Sequence, residues 1–134
     1  MKSSRPLAIA ILLAAIFSAD ISFTQPVQAA DATTQAKEGW YHKLVNADFV
    51  AKHAILPKPD GVQIIDSRPT ARKYDPGHIP TALNIPDSQF DKLADQLPSD
   101  KSTLLIFYCD GTECMLSHNS AFRAEKLGYT NVQV

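Results

Sequence analysis

From Lys43 onward, hydrophobic positions alternate between two textures: compact apolar runs, and looser stretches with apolar residues three and four apart. The compact runs predict strands. Val62-Gln63-Ile64-Ile65 is a β-branched run that ends at Asp66, Ala82-Leu83-Asn84-Ile85 is closed by Pro86, and Leu104–Tyr108 is the most apolar short run of this part of the chain. Lys43-Leu44-Val45 predicts a short first strand, and Val132-Gln133-Val134 the beginning of a last one. The looser stretches predict helices. One covers Ala47–Ala54 behind Asn46 as its N-cap, one covers Ser88–Leu97 with Phe90, Leu93 and Leu97 on one face, and one runs from Ser117 to Leu127 and stops at Gly128. Turn chemistry separates them at Leu56–Gly61, Pro76-Gly77 and Pro98–Lys101, and Ser67–Tyr74 reads as a loop holding a short helix. Strands alternating with helices predict an α/β fold, a small parallel sheet covered on both sides. Ligands in such sheets bind beyond the carboxyl ends of the strands, where Asp66 and Cys109 fall.

The first 29 residues have a different texture. Lys2 and Arg5 precede an unbroken apolar run of eleven residues, Leu7–Phe17, and Val27-Gln28-Ala29 has the small or aliphatic positions of a peptidase site. A span needs about 20 apolar residues, so residues 1–29 read as a cleaved secretory signal and the protein is expected in the periplasm. No cysteine follows the run, which argues against a lipid anchor. Residues 30–42 are expected to be a flexible lead-in and 43–134 the folded domain, with Trp40 and Tyr41 as core or edge packing. Removing the signal takes Lys2, Arg5 and Asp20 from the 13 basic and 14 acidic residues of the whole chain, which leaves a net charge of about −2. With no basic run, nothing points to nucleic acid or, after cleavage, to a membrane surface.

Only two cysteines are present, Cys109 and Cys114, and both follow the central strand. A strand, a short loop and a helix start can stabilise a thiolate through loop N–H groups and the positive end of the helix, and Gly111 would permit the turn. An exported protein could equally pair the two as a structural disulfide. Three roles stay open for Cys114: resolving a Cys109 persulfide or sulfenate, forming a protective resting disulfide, or standing by. Ser117 is expected to cap the helix. Met115 and His118 add soft ligands near the cysteines, but their spacing is no established metal signature, so neither a metal nor another cofactor is assigned.

Several landmarks resemble the rhodanese-like family. Ile65-Asp66-Ser67-Arg68 is similar to I-D-x-R. Tyr74 with Gly77-His78-Ile79-Pro80, Ala82 and Asn84-Ile85-Pro86 is similar to Y-x-x-G-H-I-P-G-A-x-N-I-P, with Thr81 in place of the usual glycine. Leu97–Lys101, Phe107-Tyr108-Cys109, Leu127-Gly128-Tyr129 and Asn131-Val132 follow in the family's order. The resemblance implies the family's small, doubly covered parallel sheet. It also implies sulfur transfer, with Cys109 accepting a sulfane sulfur from a small donor and passing it to a thiol or protein acceptor. Asp66 and Arg68 are expected to support the site, Arg68 chiefly as a structural partner of Asp66.

Two departures qualify this. The common loop is six residues and carries arginine. Here Cys109, Asp110, Gly111, Thr112, Glu113, Cys114, Met115 and Leu116 precede Ser117, which resembles the subgroup Y-C-x-G-x-x-C-x-x-S. The acidic, arginine-free loop offers a dianion such as thiosulfate little help. It also sustains a second reading, a binding or thiol redox-sensing module with a Cys109–Cys114 disulfide, and it disfavours phosphatase-like or arsenate-reducing chemistry. The family also continues past the last strand with a Gly-Gly turn and a helix, so we expect this sequence to be truncated at its C-terminus.

Overall fold

The computed structural model describes residues 37–134, and the predicted signal and residues 30–36 lie outside that range. The order is α1 (Ala47–Ala51), β1 (Val62–Asp66), a π-helical turn (Thr70–Tyr74), β2 (Leu83–Asn84), an irregular helical stretch, β3 (Leu104–Tyr108), α3 (Leu116–Lys126) and β4 (Val132–Gln133). The four strands form one parallel sheet in the order β2-β1-β3-β4, and β1 pairs with β3 along its whole length, from Val62↔Leu104 to Asp66↔Tyr108. The fold is the small α/β architecture expected.

Alternation along β1 and β3 supplies two cores. On one face Ile65, Leu105 and Phe107 pack with Phe90, Ala121, Ala124 and Tyr129; on the other Ile64 and Ile106 pack with Phe49, Val50, Tyr74 and Ile79. Cys109 continues the first face, while Asp66 and Tyr108 belong to the second.

Local signals account for most boundaries. Asn46 Oδ1 accepts from the Phe49 amide at 2.9 Å and starts α1. At the end of α3, Gly128 takes φ 91°; its amide bonds to Glu125 O, and the Tyr129 amide reaches back to Ala124 O. This pair of bonds is a Schellman motif, which needs a left-handed residue after the helix. Four expectations shift. The helix expected over Ala47–Ala54 ends at Ala51, with Ala54 N–H closing a final turn on Val50 O. The stretch expected to be helical over Ser88–Leu97 is a 3₁₀ turn (Asp87–Gln89), a single α turn, α2 (Phe90–Leu93), and another 3₁₀ turn (Ala94–Gln96), because burial of Phe90 and Leu97 against the sheet sets its path. Lys43–Val45 forms no regular strand, yet the Val45 amide bonds to Val134 O and the Val134 amide to Lys43 O, so it lies along the outer edge of β4. The expected flexible lead-in is packed down at Tyr41, which is only 1% exposed and meets Phe122 edge-on at 5.1 Å. No described helix is long and apolar enough to cross a membrane.

Candidate functional site

The loop begins where β3 runs out. Cys109 Sγ donates to Cys114 O at 3.0 Å and meets Ser117 Oγ at 3.2 Å. The Cys114 amide closes a turn on Gly111 O, 3.0 Å away. Both cysteines are half-buried and unpaired. Burial pushes the Cys114 thiol up; its hydrogen bond with Cys109 adds to this, and the amides of Leu116 and Asp110 pull it partly back. Loop amides were expected around Cys109, yet among the described residues no backbone N–H is hydrogen-bonded to its sulfur, and the nearby amides lie at Cys114.

Ser117 is displaced from its expected role. Met115 is the N-cap of α3 without a side-chain hydrogen bond, Leu116 is the first helical residue, and the Ser117 hydroxyl turns to Cys109 instead. Gly111 is not at positive φ, and a Cβ there would meet nothing within 4 Å, so the turn does not demand glycine. Thr112 is exposed at the rim of a cleft, Glu113 is paired with Lys37, and Met115 Cε lies against Gly39.

On the opposite face, Asp66 is fully buried and accepts from the Arg68 amide (2.9 Å), from Arg68 Nε and Nη2, and from the Tyr108 hydroxyl at 2.6 Å. The Arg68 guanidinium also donates to Gly77 O and stands 5.2 Å from the Tyr108 ring centroid. Its Nη1 lies 3.6 Å from Asp110 Oδ1, which Lys73 Nζ approaches to 3.2 Å. Asp66 and Arg68 thus pin the β1 and β3 ends together and tether the loop at Asp110, and burial raises the Tyr108 phenol far above its ordinary value. His78 stacks on Tyr74 at 3.7 Å, and its Nδ1 donates to Tyr74 O, a turn residue's arrangement.

The site also has a part that no local motif announces. A cleft of about 330 Å³ opens beside Cys109, with Trp40, Leu44, Val45, Val50, Phe107 and Val134 among its walls. His118, one residue beyond Ser117, lines it and is 4% exposed. The Tyr41 amide donates to His118 Nδ1 at 3.1 Å, which leaves the proton on Nε2, and the ring stacks on Trp40 at 5.2 Å. Burial lowers the His118 pKa, so the ring is neutral near pH 7. The chain's single tryptophan and a histidine beside the loop were the available signals in the sequence, but nothing in it showed that the two would meet. Among the described residues, no cluster of three or more His, Cys, Asp or Glu is arranged to hold a metal ion.

The family described as Rhodanese-like domain matches residues 50–134, well over half of the chain. The chain belongs to the rhodanese-like domain family. Comparison with curated proteins returns no match. Among solved structures, an uncharacterized protein from Saccharomyces cerevisiae is 22% identical over 68% of this chain and 82% of its own, with a TM-score of 0.52. The BH2092 protein from Bacillus halodurans is 29% identical over 56% of this chain, TM-score 0.47, and the match spans only 54% of its length. The rhodanese-like domain of the Alr3790 protein from Anabaena sp. is 23% identical over 67% of this chain and 81% of its own, TM-score 0.45. The yeast likeness shows a shared fold, and Cys109 directly follows the carboxyl end of the central strand, β3.

Proposed function

We propose that this protein is an exported rhodanese-like sulfurtransferase whose Cys109 carries a sulfane sulfur as a persulfide. The supporting observation is the position of Cys109 Sγ: at the end of β3, beside the Ser117 hydroxyl at the start of α3, on the edge of a cleft large enough for a small donor. The Cys109 thiolate attacks the donor's sulfane sulfur. A bond from Sγ to that sulfur forms, the donor's own bond to it breaks, and the electron pair leaves with the donor. A thiol or protein acceptor then takes the sulfur by attack on the outer atom of the persulfide, which returns Cys109. The Ser117 hydroxyl can donate to the thiolate, whereas Cys114 O suits the protonated thiol, so the Cys114 peptide must turn aside for attack. No cofactor is needed, the apolar run at the N-terminus supports a periplasmic location, and neither nucleic acid nor membrane is a partner of the processed domain.

Reduced protein exposed to sulfane-sulfur donors should gain the mass of one sulfur atom, and Cys109→Ser should abolish the gain. A gain that survives in Cys109→Ser would sink the proposal.

A thiol redox-sensing module is the second reading, favoured by the direct contact of the two cysteines. Attack of Cys114 on the inner sulfur of a Cys109 persulfide would form the Cys109–Cys114 disulfide and release hydrosulfide, with no added oxidant. It predicts that loaded protein loses sulfur to a form two hydrogens lighter than the reduced chain. Repeated turnover with no such form would reject it.

A further inference from the structure

We propose that the cleft beside Cys109 recognises an organic hydropersulfide, R–S–SH, through an apolar body R, and that such a molecule rather than thiosulfate is the sulfur donor. This rests on the carrier reading above and names its substrate class.

Charge carries the argument. None of the described residues lining the cleft is Asp, Glu, Lys or Arg. The cations nearest the loop are already engaged: Arg68 with Asp66 and Asp110, Lys73 with Asp110, and Lys37 with Glu113. A dianion entering this cleft would shed hydration with no counter-charge to replace it. An aliphatic or aromatic R would instead exchange water for Trp40, Leu44, Val50 and Phe107. His118 supplies the polar group the reaction needs. Its Nδ1 is occupied by the Tyr41 amide, so the nitrogen left for the cleft is Nε2, a donor. In the transfer, the Cys109 thiolate bonds to the outer sulfur of R–S–SH, the R–S–SH sulfur–sulfur bond breaks, and the pair departs as R–S⁻, an anion that a nearby N–H stabilises. The proton of the outer sulfur stays with it, so Cys109 becomes Cys109–S–SH and nothing is oxidised or reduced overall.

The test compares donors on reduced protein by intact mass. Benzyl hydropersulfide should load Cys109 at least about tenfold faster than thiosulfate at equal concentration. Trp40→Ala should slow benzyl loading more than it slows thiosulfate loading. Ala47 is exposed and lines the cleft, so Ala47→Lys adds a cation without disturbing the core and should raise thiosulfate loading. Trp40 is the chain's single tryptophan, so its emission in Cys109→Ser reads binding of benzyl mercaptan without transfer. Thiosulfate loading as fast as benzyl, or benzyl loading indifferent to Trp40→Ala, overturns this inference and leaves the carrier reading intact. Saturable quenching of Trp40 with no sulfur gained from any donor supports the apolar site and overturns the carrier reading. Neither quenching nor loading overturns both.

Discussion

Thr81 stands where the family pattern has glycine, and the structure shows what the exchange entails. Ile79 O accepts from the Ala82 amide at 3.0 Å, closing a turn with Pro80 and Thr81 at its centre. Thr81 takes φ 69°, the only described non-glycine residue at positive φ, as the third position of a type II turn requires. In that region a Cβ crowds the following carbonyl at about 1–2 kcal/mol, and a β-branched residue is no better placed. The conformation is held from outside. Gln63 Nε2 donates to Thr81 O at 3.2 Å, Tyr74 hydroxyl donates to Ala82 O at 2.8 Å, and Ala82 is buried against Ile64 and Ile106. Thr81→Gly relieves the crowding but frees the unfolded chain, which offsets about 0.5–1 kcal/mol. The balance is a stabilisation of about 0.5–1 kcal/mol, or a melting temperature raised by about 2–8 °C for a domain of this size. Urea titration and thermal melts of reduced protein would measure it, with Thr81→Val as a control that should gain nothing and Thr81→Asn as an intermediate. A glycine variant no more stable than wild type would refute the idea that strain resides in this turn.

Asp66→Asn leaves the Arg68 guanidinium without its carboxylate, and since Arg68 keeps 14% of its side chain in solvent the loss should be about 2–4 kcal/mol, at the lower end for a broken buried pair, by chemical denaturation. Ile106→Ala, at 0% exposure in the central strand, should lose about 2–5 kcal/mol by the same measurement. His118 binds its proton less tightly folded than the ordinary 6.5 of the unfolded chain, so its contribution to stability is full above pH 6.5 and is lost as pH falls below it; His118→Asn, which keeps an acceptor for the Tyr41 amide, should flatten that part of the stability–pH curve, and an unchanged slope would contradict a buried neutral ring. Gly111→Ala should change stability by no more than about 0.5 kcal/mol and leave sulfur loading intact, since neither φ nor space requires glycine there.

Much of the fold was legible because its signals are local. The runs ending at Asp66 and Tyr108, the Asn46 cap and the glycine after α3 each act through atoms a few residues away, so their pattern survives in a linear reading. Boundaries drifted where burial competed with propensity, as in Asp87–Gln96, whose broken helical turns follow the anchoring of Phe90 and Leu97 rather than their own periodicity. The loop cysteine was equally legible from its place after the central strand, but the partner of Ser117 was not: the residue type suits a helix cap, and only the course of the loop turns its hydroxyl to sulfur.

By itself, the order of residues determined that β-strands and helices alternate, that the strands are buried on both faces, and that Cys109 and Asp66 each stand at a strand's carboxyl end. Tertiary structure alone decided the surroundings in which Cys109 sits. The Tyr41 amide meets His118 across 77 positions, Lys37 meets Glu113 across 76, and the Tyr108 hydroxyl reaches Asp66 across 42. Such contacts use up the cations near the loop, fix the histidine tautomer and leave an uncharged cleft at the sulfur. The physical reason is that desolvation and charge pairing depend on distance in space, and no spacing along the chain encodes which distant groups will share the low-dielectric ground around one thiol.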